Sequence, residues 1–315
     1  MQRNDRHAAM IERMSSKSER RGSRRGQNQS DPELTVTLSS GALASMVHDG
    51  EGWALVVDGT PQAHVTPEDP ERISFAYMRH MSHVIDLAWP EREAITALHL
   101  GAGALTIPRY IESARPGSRQ QVIELEPAVV DLVRRVAPLP AHAPIRIRYG
   151  DAREQIGRLP AGLNGSVDLV VVDIFAGPQT PAHVTSVEFF ERIPPLLAPN
   201  AIVLINVADG HDLRFARSEI ATLDAVFGHV SVIADPAVLK GRRFGNIIAI
   251  ASPVEPEIDG IARRVAGEYP PTVFQNERQT SAFGASASPV RDADATPSPL
   301  PGRNVFIAER SGGWT

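Results

Sequence analysis

Short apolar runs alternate with segments of helical periodicity from residue 94 onward, and this alternation restricts the fold more than any other feature of the sequence. Runs such as 168–173 and 201–207 are apolar at successive positions, which is typical of strands buried on both faces. Because helices cover both faces of such a parallel sheet, we predict a doubly wound α/β domain of seven strands, with its ligand at their carboxyl ends. The predicted strands are 95–100, 120–124, 145–149, 167–173, 201–207, 229–233 and 246–252. The predicted helices are 104–114, 127–136, 186–197 and 212–227.

The residues before this domain predict a smaller unit. Trp53–Val57 and 61–65 are strand-like and are joined by Asp58-Gly59, a dipeptide that favours a tight hairpin turn. Apolar side chains at helical spacing then predict a helix over 74–87. The predicted organisation is a tail (1–32), a β-hairpin and helix subdomain (33–90), the α/β domain (91–252) and a C-terminal extension (253–315).

The two ends of the chain have biased compositions. The first 30 residues are polar and contain eight basic and three acidic residues, so we expect a disordered basic tail. The net charge of the whole chain is −5, which makes the remainder acidic and unsuited to tracking phosphates. We therefore expect no nucleic-acid partner beyond a weak contact by the tail. The extension is rich in Pro, Ser and Ala, and we expect it to be partly disordered.

Several classes of chemistry are excluded by what the sequence lacks. It has no cysteine, which rules out disulfides, zinc–thiolate sites, iron–sulfur clusters and a thiol nucleophile. It has no apolar run of about 18 residues and no secretion signal, so we expect a cytoplasmic protein without a membrane span. His80 and His83 are three residues apart on a predicted helix, but the motif offers no third ligand, so we predict no metal site.

The first strand of the α/β domain leads into a glycine turn, and the next strands end in acids. Gly101 and Gly103 allow close approach of a ligand to the backbone at a helix N-terminus. Glu124 ends strand two, where a carboxylate can grip a ribose diol, and Asp151 follows strand three, where it can accept from an adenine amino group. Asp173 ends strand four, beside the reacting group. The predicted cofactor-binding residues are Gly101, Ala102, Gly103, Glu124, Leu125, Asp151, Ala152 and Asp173.

A nucleoside without phosphates fits this pattern better than a dinucleotide or a nucleoside triphosphate. The dinucleotide fingerprint places a third glycine where this chain has Thr106. A phosphate-binding loop needs Gly-Lys-Ser/Thr, which the sequence lacks. The α/β domain is therefore predicted to bind an S-adenosyl sulfonium compound.

These residues resemble the polyamine aminopropyltransferase family (spermidine and spermine synthases), which has the class I methyltransferase fold. The resemblance covers about residues 50–252. Asp58-Gly59 and Gln62 are similar to the family's Asp-Gly-x-x-Gln hairpin, and Tyr77 and His83 to residues of its first helix. Further matches are Gly101, Gly103, Arg109 and Ser186-x-Glu188-Phe189-Phe190. The resemblance also implies three roles: ribose binding for Glu124, adenine binding for Gly150-Asp151 and catalytic base for Asp173. In that family the hairpins cover the site and contribute to dimerisation, so we expect a homodimer.

The chain departs from the family where the substrate's amines bind. The acids that hold the ammonium of decarboxylated S-adenosylmethionine are replaced by Ala104 and Ala176, and an acceptor-binding glutamate by Arg79, which we expect to repel a polyamine. A charge-assisted hydrogen bond contributes about 1.5–3 kcal/mol, so these losses weaken ammonium binding. Ile174 and Phe175 make the predicted acceptor side more apolar. The predicted acceptor-binding residues are Gln62, Tyr77, His83, Ile174 and Phe175.

Three functions follow from this pattern. The first is a transferase that binds S-adenosylmethionine, or its decarboxylated form, and moves a methyl group to a small-molecule acceptor with Asp173 as base. The second is a true aminopropyltransferase, converting putrescine to spermidine, with ammonium ligands supplied by other acids. The third is a non-catalytic nucleoside-binding protein. His183, in the loop after strand four, is a further acid–base candidate, although an exposed loop histidine is the simpler interpretation.

Overall fold

The computed structural model describes residues 34–301. Within that range the chain forms one small and one large β-sheet, with helices on both faces of the large one. The predicted α/β class is confirmed. The basic tail lies outside the described residues, and so does the end of the C-terminal extension.

The small sheet is antiparallel and contains the predicted hairpin. Its strands, in spatial order, are β1 (Thr35–Thr37), β2 (Leu43–His48), β3 (Trp53–Val57) and β4 (Thr60–Val65). Asp58 and Gly59 connect β3 to β4 with φ of 47° and 77°, the left-handed conformations that this hairpin turn requires. The Asp58 carboxylate also accepts the Leu43 N–H at 2.8 Å, which ties the turn to β2.

The large sheet contains all seven predicted strands. They are β5 (Thr96–Leu100), β6 (Arg119–Glu124), β7 (Ile145–Tyr149), β8 (Val167–Val172), β9 (Leu197–Asp209), β10 (His229–Ala234) and β11 (Gly245–Ser252). An eighth, β12 (Val273–Gln275), lies in the C-terminal extension, where no strand was predicted. The spatial order is β12-β10-β11-β9-β8-β5-β6-β7.

The expectation of a parallel sheet is correct for only part of it. The strands from β9 to β7 pair in parallel, whereas β11, β10 and β12 pair antiparallel. The chain moves outward from β5 to β7 and then returns to β8 on the other side of β5. Ligands of open α/β sheets bind at such a reversal, so the crevice is expected at the ends of β5 and β8.

Within residues 34–301 each of the five predicted helices has a counterpart, and four further helices, over 152–156, 236–239, 261–266 and 277–284, were not predicted. The helices are α1 (Ala76–Ala88), α2 (Thr106–Ala114), α3 (Pro127–Val136), α4 (Ala152–Ile156), α5 (Val187–Phe190), α6 (Arg214–Phe227), α7 (Pro236–Leu239), α8 (Ile261–Ala266) and α9 (Glu277–Gly284). The helix predicted over 186–197 is wrong in length, because Pro194 and Pro195 limit its end to a short 3-10 turn after α5.

Two apolar cores lie on opposite faces of the large sheet. Along β8, Leu169 and Val171 face one core while Val170 and Val172 face the other, as the two-residue period of a strand requires. The small sheet and α1 pack into the first core. This packing holds β4 and the start of α1 beside the carboxyl end of β8.

Candidate active site

The glycine turn after β5 is fixed by the neighbouring strand. Gly101 has φ of +94°, and a Cβ at that position would overlap the carbonyl oxygen of Asp173. The Gly101 N–H donates to Ile123 O at 2.9 Å, and the Asp173 N–H donates to Leu100 O at 2.9 Å. The turn therefore lies directly between the ends of β6 and β8.

Glu124 anchors this turn from the end of β6. Its Oε2 accepts the Ala102 N–H at 2.8 Å and its Oε1 accepts the Glu126 N–H at 2.9 Å. Burial raises the pKa of the Glu124 carboxyl, and these backbone hydrogen bonds act in the opposite direction. Each carboxylate oxygen retains a lone pair with which it can accept from a ligand hydroxyl.

Asp151 lies at the same edge of the sheet, at the N-terminus of α4. Its Oδ1 accepts the Glu154 N–H at 3.2 Å, which caps the helix. Its Oδ2 lies 2.7 Å from His183 Nε2, so the loop histidine is placed against the cavity. Leu125 is 56% exposed and Ala152 is buried, and both line the same cavity.

Asp173 is partly buried and held by two donors. The Tyr77 hydroxyl donates to its Oδ2 at 3.1 Å, and Asn206 Nδ2 donates to its Oδ1 at 2.8 Å. Asn246 Nδ2 in turn donates to Asn206 Oδ1 at 2.9 Å. Burial raises the pKa of Asp173 above its ordinary value, whereas the two hydrogen bonds lower it. The carboxylate is therefore both desolvated and oriented.

Two adjoining cavities share part of their lining, and Asp173 lines one of them. That cavity, which we call the cofactor cavity after the ligand that the sequence predicts for it, has a volume of about 150 Å³ and is also lined by Gly101, Gly103, Glu124, Asp151 and Ile174. The other, which we call the acceptor cavity for the same reason, has a volume of about 240 Å³ and is lined by Phe75, His80, Asn206, Phe244, Asn246 and Thr272. Gln62, Tyr77 and Phe175 line both cavities. These three residues therefore form a shared wall, and one of them, Tyr77, is hydrogen-bonded to Asp173.

The cofactor cavity is also closed from the N-terminal side. The Ser39 N–H, in the turn between β1 and β2, donates to Glu126 Oε2 at 3.1 Å. Leu38, beside this turn, and Leu55 of the small sheet line the cavity. The small sheet thus covers the predicted nucleoside site.

Three predicted positions do not lie in either cavity. His83 Nε2 instead lies 2.6 Å from Glu268 Oε1. Arg79 Nε donates to Glu268 Oε2 at 2.9 Å, so its charge is neutralised outside the acceptor cavity, and the expected repulsion of a polyamine does not arise there. Ala104 is fully buried in the core rather than in the cavity wall. Ala176, in contrast, lines the cofactor cavity.

The sequence interpretation missed the polar wall of the acceptor cavity. Asn206 lies within a predicted strand, and its amide side chain in an otherwise apolar run could have indicated a functional residue. Asn246 stands at the start of another strand and gave no comparable signal. In residues 34–301 no cluster of three or more His, Asp or Glu side chains could hold a metal ion. Over the same range, none of the helices is both long and apolar enough to cross a bilayer.

Comparison with known proteins gives a consistent set of relatives. A solved structure of a probable spermidine synthase from Corynebacterium glutamicum matches with a TM-score of 0.74 and 33% identity, over 82% of this chain and 95% of that one. A polyamine aminopropyltransferase of Vibrio vulnificus is 31% identical over 164 residues, which are 51% of this chain and 52% of that protein. The match thus spans about half the length of the Vibrio protein.

A more distant relative matches over a longer range. A polyamine aminopropyltransferase of Neisseria meningitidis is 25% identical over 209 residues, covering 65% of this chain and 74% of that protein. No family model matches the chain.

Proposed function

Since this chain belongs to the polyamine aminopropyltransferase (spermidine synthase) family, we propose that it is a transferase that moves a methyl group from S-adenosylmethionine to a small-molecule acceptor. The observation that supports this most is the position of Asp173. Its partly buried carboxylate lines the cofactor cavity and is oriented by Tyr77 and Asn206, both of which line the acceptor cavity.

The cofactor cavity suits the nucleoside half of an S-adenosyl compound. The Glu124 carboxylate can accept from both ribose hydroxyls while it keeps its backbone bonds to the glycine turn. Asp151 can accept from the adenine amino group, and Leu125 and Ala152 offer apolar contact to the ring. The absence of a side chain at Gly101 brings the backbone close to the ligand.

Asp173 is the proposed base. When bound, the sulfonium supplies an electrophilic methyl carbon, to which the acceptor's lone pair bonds as the carbon–sulfur bond breaks and a neutral thioether leaves. Asp173 takes the proton that the acceptor nucleophile loses. Because burial raises the pKa of Asp173, its carboxylate is a stronger base than an exposed one. Tyr77 and Asn206 hold that carboxylate toward the shared wall of the two cavities.

The residues expected near the amine or amino-acid end of the S-adenosyl compound favour methyl transfer over aminopropyl transfer. Ala176 lines the cofactor cavity, and the buried Ala104 adds no charge to it. Neither position supplies the anion that a desolvated primary ammonium needs. Neither repels the α-carboxylate of S-adenosylmethionine.

Isothermal titration calorimetry can distinguish the two reactions. We expect S-adenosylhomocysteine, which carries the α-carboxylate, to bind more tightly than methylthioadenosine. The reverse order would contradict methyl transfer. Asp173→Asn should retain S-adenosylhomocysteine binding and lose turnover, whereas a non-catalytic nucleoside-binding protein would have no turnover to lose.

Aminopropyl transfer is the second candidate, because the family relatives are aminopropyltransferases by name. Incubation with putrescine and decarboxylated S-adenosylmethionine tests it directly. Release of methylthioadenosine at a rate that falls in Asp173→Asn would establish this reaction in place of methyl transfer.

A further inference from the structure

Among residues 34–301, the charged side chains that line the acceptor cavity are paired with each other. Its charged lining residues are Asp235 and Arg243, and they form an ion pair of 2.6 Å between Asp235 Oδ2 and Arg243 Nη2. The other oxygen of Asp235 accepts the Ala237 N–H at 2.5 Å. Both oxygens of that carboxylate therefore have a partner, and its negative charge is balanced by the Arg243 guanidinium. His80 also lines the cavity. Its imidazole is buried beside Thr272, and burial lowers its pKa to about 4.

A polyamine acceptor would bring a charge that this cavity does not match. When one amine of a diamine is neutral and attacks, the remote amine remains an ammonium. Entering the cavity removes water from that ammonium, and an unpaired carboxylate is the group that best replaces the lost hydration. Asp235 is already paired with Arg243. Asp173 faces the reacting end and is bonded to Tyr77 and Asn206. Glu268, which binds Arg79 and His83, lies outside the cavity lining.

The uncharged part of the wall favours a planar molecule with a polar edge. Aromatic rings line it at Phe75, Tyr77, Phe175 and Phe244, and neutral hydrogen-bonding groups at Gln62, Asn206, Asn246 and Thr272. Rings of this kind pack against flat apolar surfaces, and amides pair with hydroxyl or amine groups. The volume of about 240 Å³ is at the small end for ligand pockets and suits one or two rings.

We propose that the acceptor is an uncharged aromatic or heteroaromatic molecule whose hydroxyl or amine is alkylated, and that the Asp235–Arg243 ion pair selects against polyamines. This inference rests on the proposed function, because it concerns the acceptor of that same site. Arg243 is the specificity-determining residue: while it neutralises Asp235, no described residue that lines the acceptor cavity offers an unpaired carboxylate to a remote ammonium.

The test is a calorimetric comparison in the presence of saturating S-adenosylhomocysteine. The probes are 1-naphthol, 1-naphthylmethylamine, which presents the same rings with an ammonium, and spermidine. For the wild-type protein we expect 1-naphthol to bind at least tenfold more tightly than either cation. Equal or tighter binding of spermidine would overturn the proposal.

Two substitutions make the test specific to the ion pair. Arg243→Gln frees Asp235, and we expect spermidine affinity to rise at least tenfold. Adding Asp235→Asn to Arg243→Gln should abolish that gain. Arg242→Gln removes the neighbouring exposed arginine, which does not line the cavity, and should change nothing. Unchanged spermidine affinity in Arg243→Gln would refute the selective role of the pair.

S-adenosylhomocysteine affinity is measured in every variant as well. An unchanged value shows that the variant is folded and that its cofactor cavity is intact. If the wild-type protein binds no S-adenosylhomocysteine, the proposed function fails. If the protein binds S-adenosylhomocysteine but prefers the cationic probes, only the inference about the acceptor is contradicted.

Discussion

The Tyr77 hydroxyl donates to Oδ2 of Asp173 at 3.1 Å, joining the first helix to the end of a strand 96 residues later in the chain. Burial and the nearby Asp173 raise the Tyr77 pKa well above its ordinary value, so the phenol remains a proton donor at neutral pH. Asn206 donates to the other oxygen of the carboxylate. Each oxygen of the proposed base therefore has one fixed partner, and the carboxylate cannot rotate without losing both.

This arrangement predicts how the reaction depends on pH. Hydrogen bonds to the carboxylate lower the pKa of Asp173 against the effect of burial, so Asn206→Ala should raise that pKa. A base must be ionised to act, and the acid limb of the rate profile should therefore move to higher pH. Because a hydrogen bond to a charged group contributes about 1.5–3 kcal/mol, activity on that limb should fall roughly tenfold or more.

The profile of kcat/KM against pH measures this shift. Tyr77→Phe should move the acid limb in the same direction, since it removes the other donor. Asn246→Ala, which loses only the bond to Asn206 Oδ1, should move it less. An acid limb that stays in place in both Asn206→Ala and Tyr77→Phe would exclude Asp173 as the titrating base.

Glu124→Gln should weaken cofactor binding. The amide keeps one acceptor oxygen but turns an N–H₂ group toward a backbone N–H, either of Ala102 or of Glu126, so the glycine turn loses a partner. We expect the Kd of S-adenosylhomocysteine to rise at least tenfold by calorimetry. Glu91→Gln, on an exposed residue before β5, is the matched control and should leave the Kd unchanged.

The sequence predicted that the residues proposed to bind the nucleoside converge, because one rule covers their positions. The carboxyl ends of parallel strands meet at one edge, so Gly101, Glu124, Asp151 and Asp173 had to converge once their strands were identified. The strands themselves were recognisable because they are buried on both faces. The structure places all four residues around the cofactor cavity.

The acceptor side followed no such rule. Whether Arg79 would face a substrate depended on Glu268, which is 189 residues away and in the C-terminal extension. The strand Val273–Gln275 is three residues long and exists because it pairs with β10, as in the register Val232 to Gln275. A strand this short, formed by pairing with a distant segment, has too few residues to show a periodic pattern in the sequence. The composition of the extension therefore suggested loops.

Gly101→Ala should destabilise the fold more than the same substitution at Gly41, a glycine with a similar backbone φ. Gly101 and Gly41 have φ of +94° and +85°, so alanine costs each about 1–2 kcal/mol of backbone strain. A Cβ on Gly41 meets nothing within 4 Å, whereas one on Gly101 overlaps the Asp173 carbonyl. We expect Gly101→Ala to lower the free energy of unfolding by about 2 kcal/mol more than Gly41→Ala. Urea unfolding measures the difference, and equal losses would show that the turn can move away from β8.

The C-terminal extension holds the loop that covers the two cavities. Arg153 Nη1 donates to Asp292 Oδ1 at 2.7 Å and to His183 O at 2.8 Å, so one guanidinium joins the extension to the loop after β8. The Ser298 N–H donates to Thr180 O at 3.0 Å, which attaches the extension to an earlier part of that loop. Hydrogen bonds from Arg153 and Ser186 lower the pKa of Asp292 to about 2. The Asp292 carboxylate is therefore ionised throughout the range in which an enzyme assay is run.

Asp292→Ala should loosen this loop. We expect faster amide hydrogen exchange over residues 177–186, measured by mass spectrometry, and a several-fold higher Kd for S-adenosylhomocysteine, because His183 would no longer be held against Asp151. Since Asp292 stays ionised, the difference from wild type should be the same at pH 6 and pH 8. Asp294→Ala removes an exposed acid two residues later that does not bind Arg153, and it should leave exchange in the loop unchanged. If both substitutions accelerate exchange equally, the loop is held by the backbone path of the extension rather than by the Arg153–Asp292 pair.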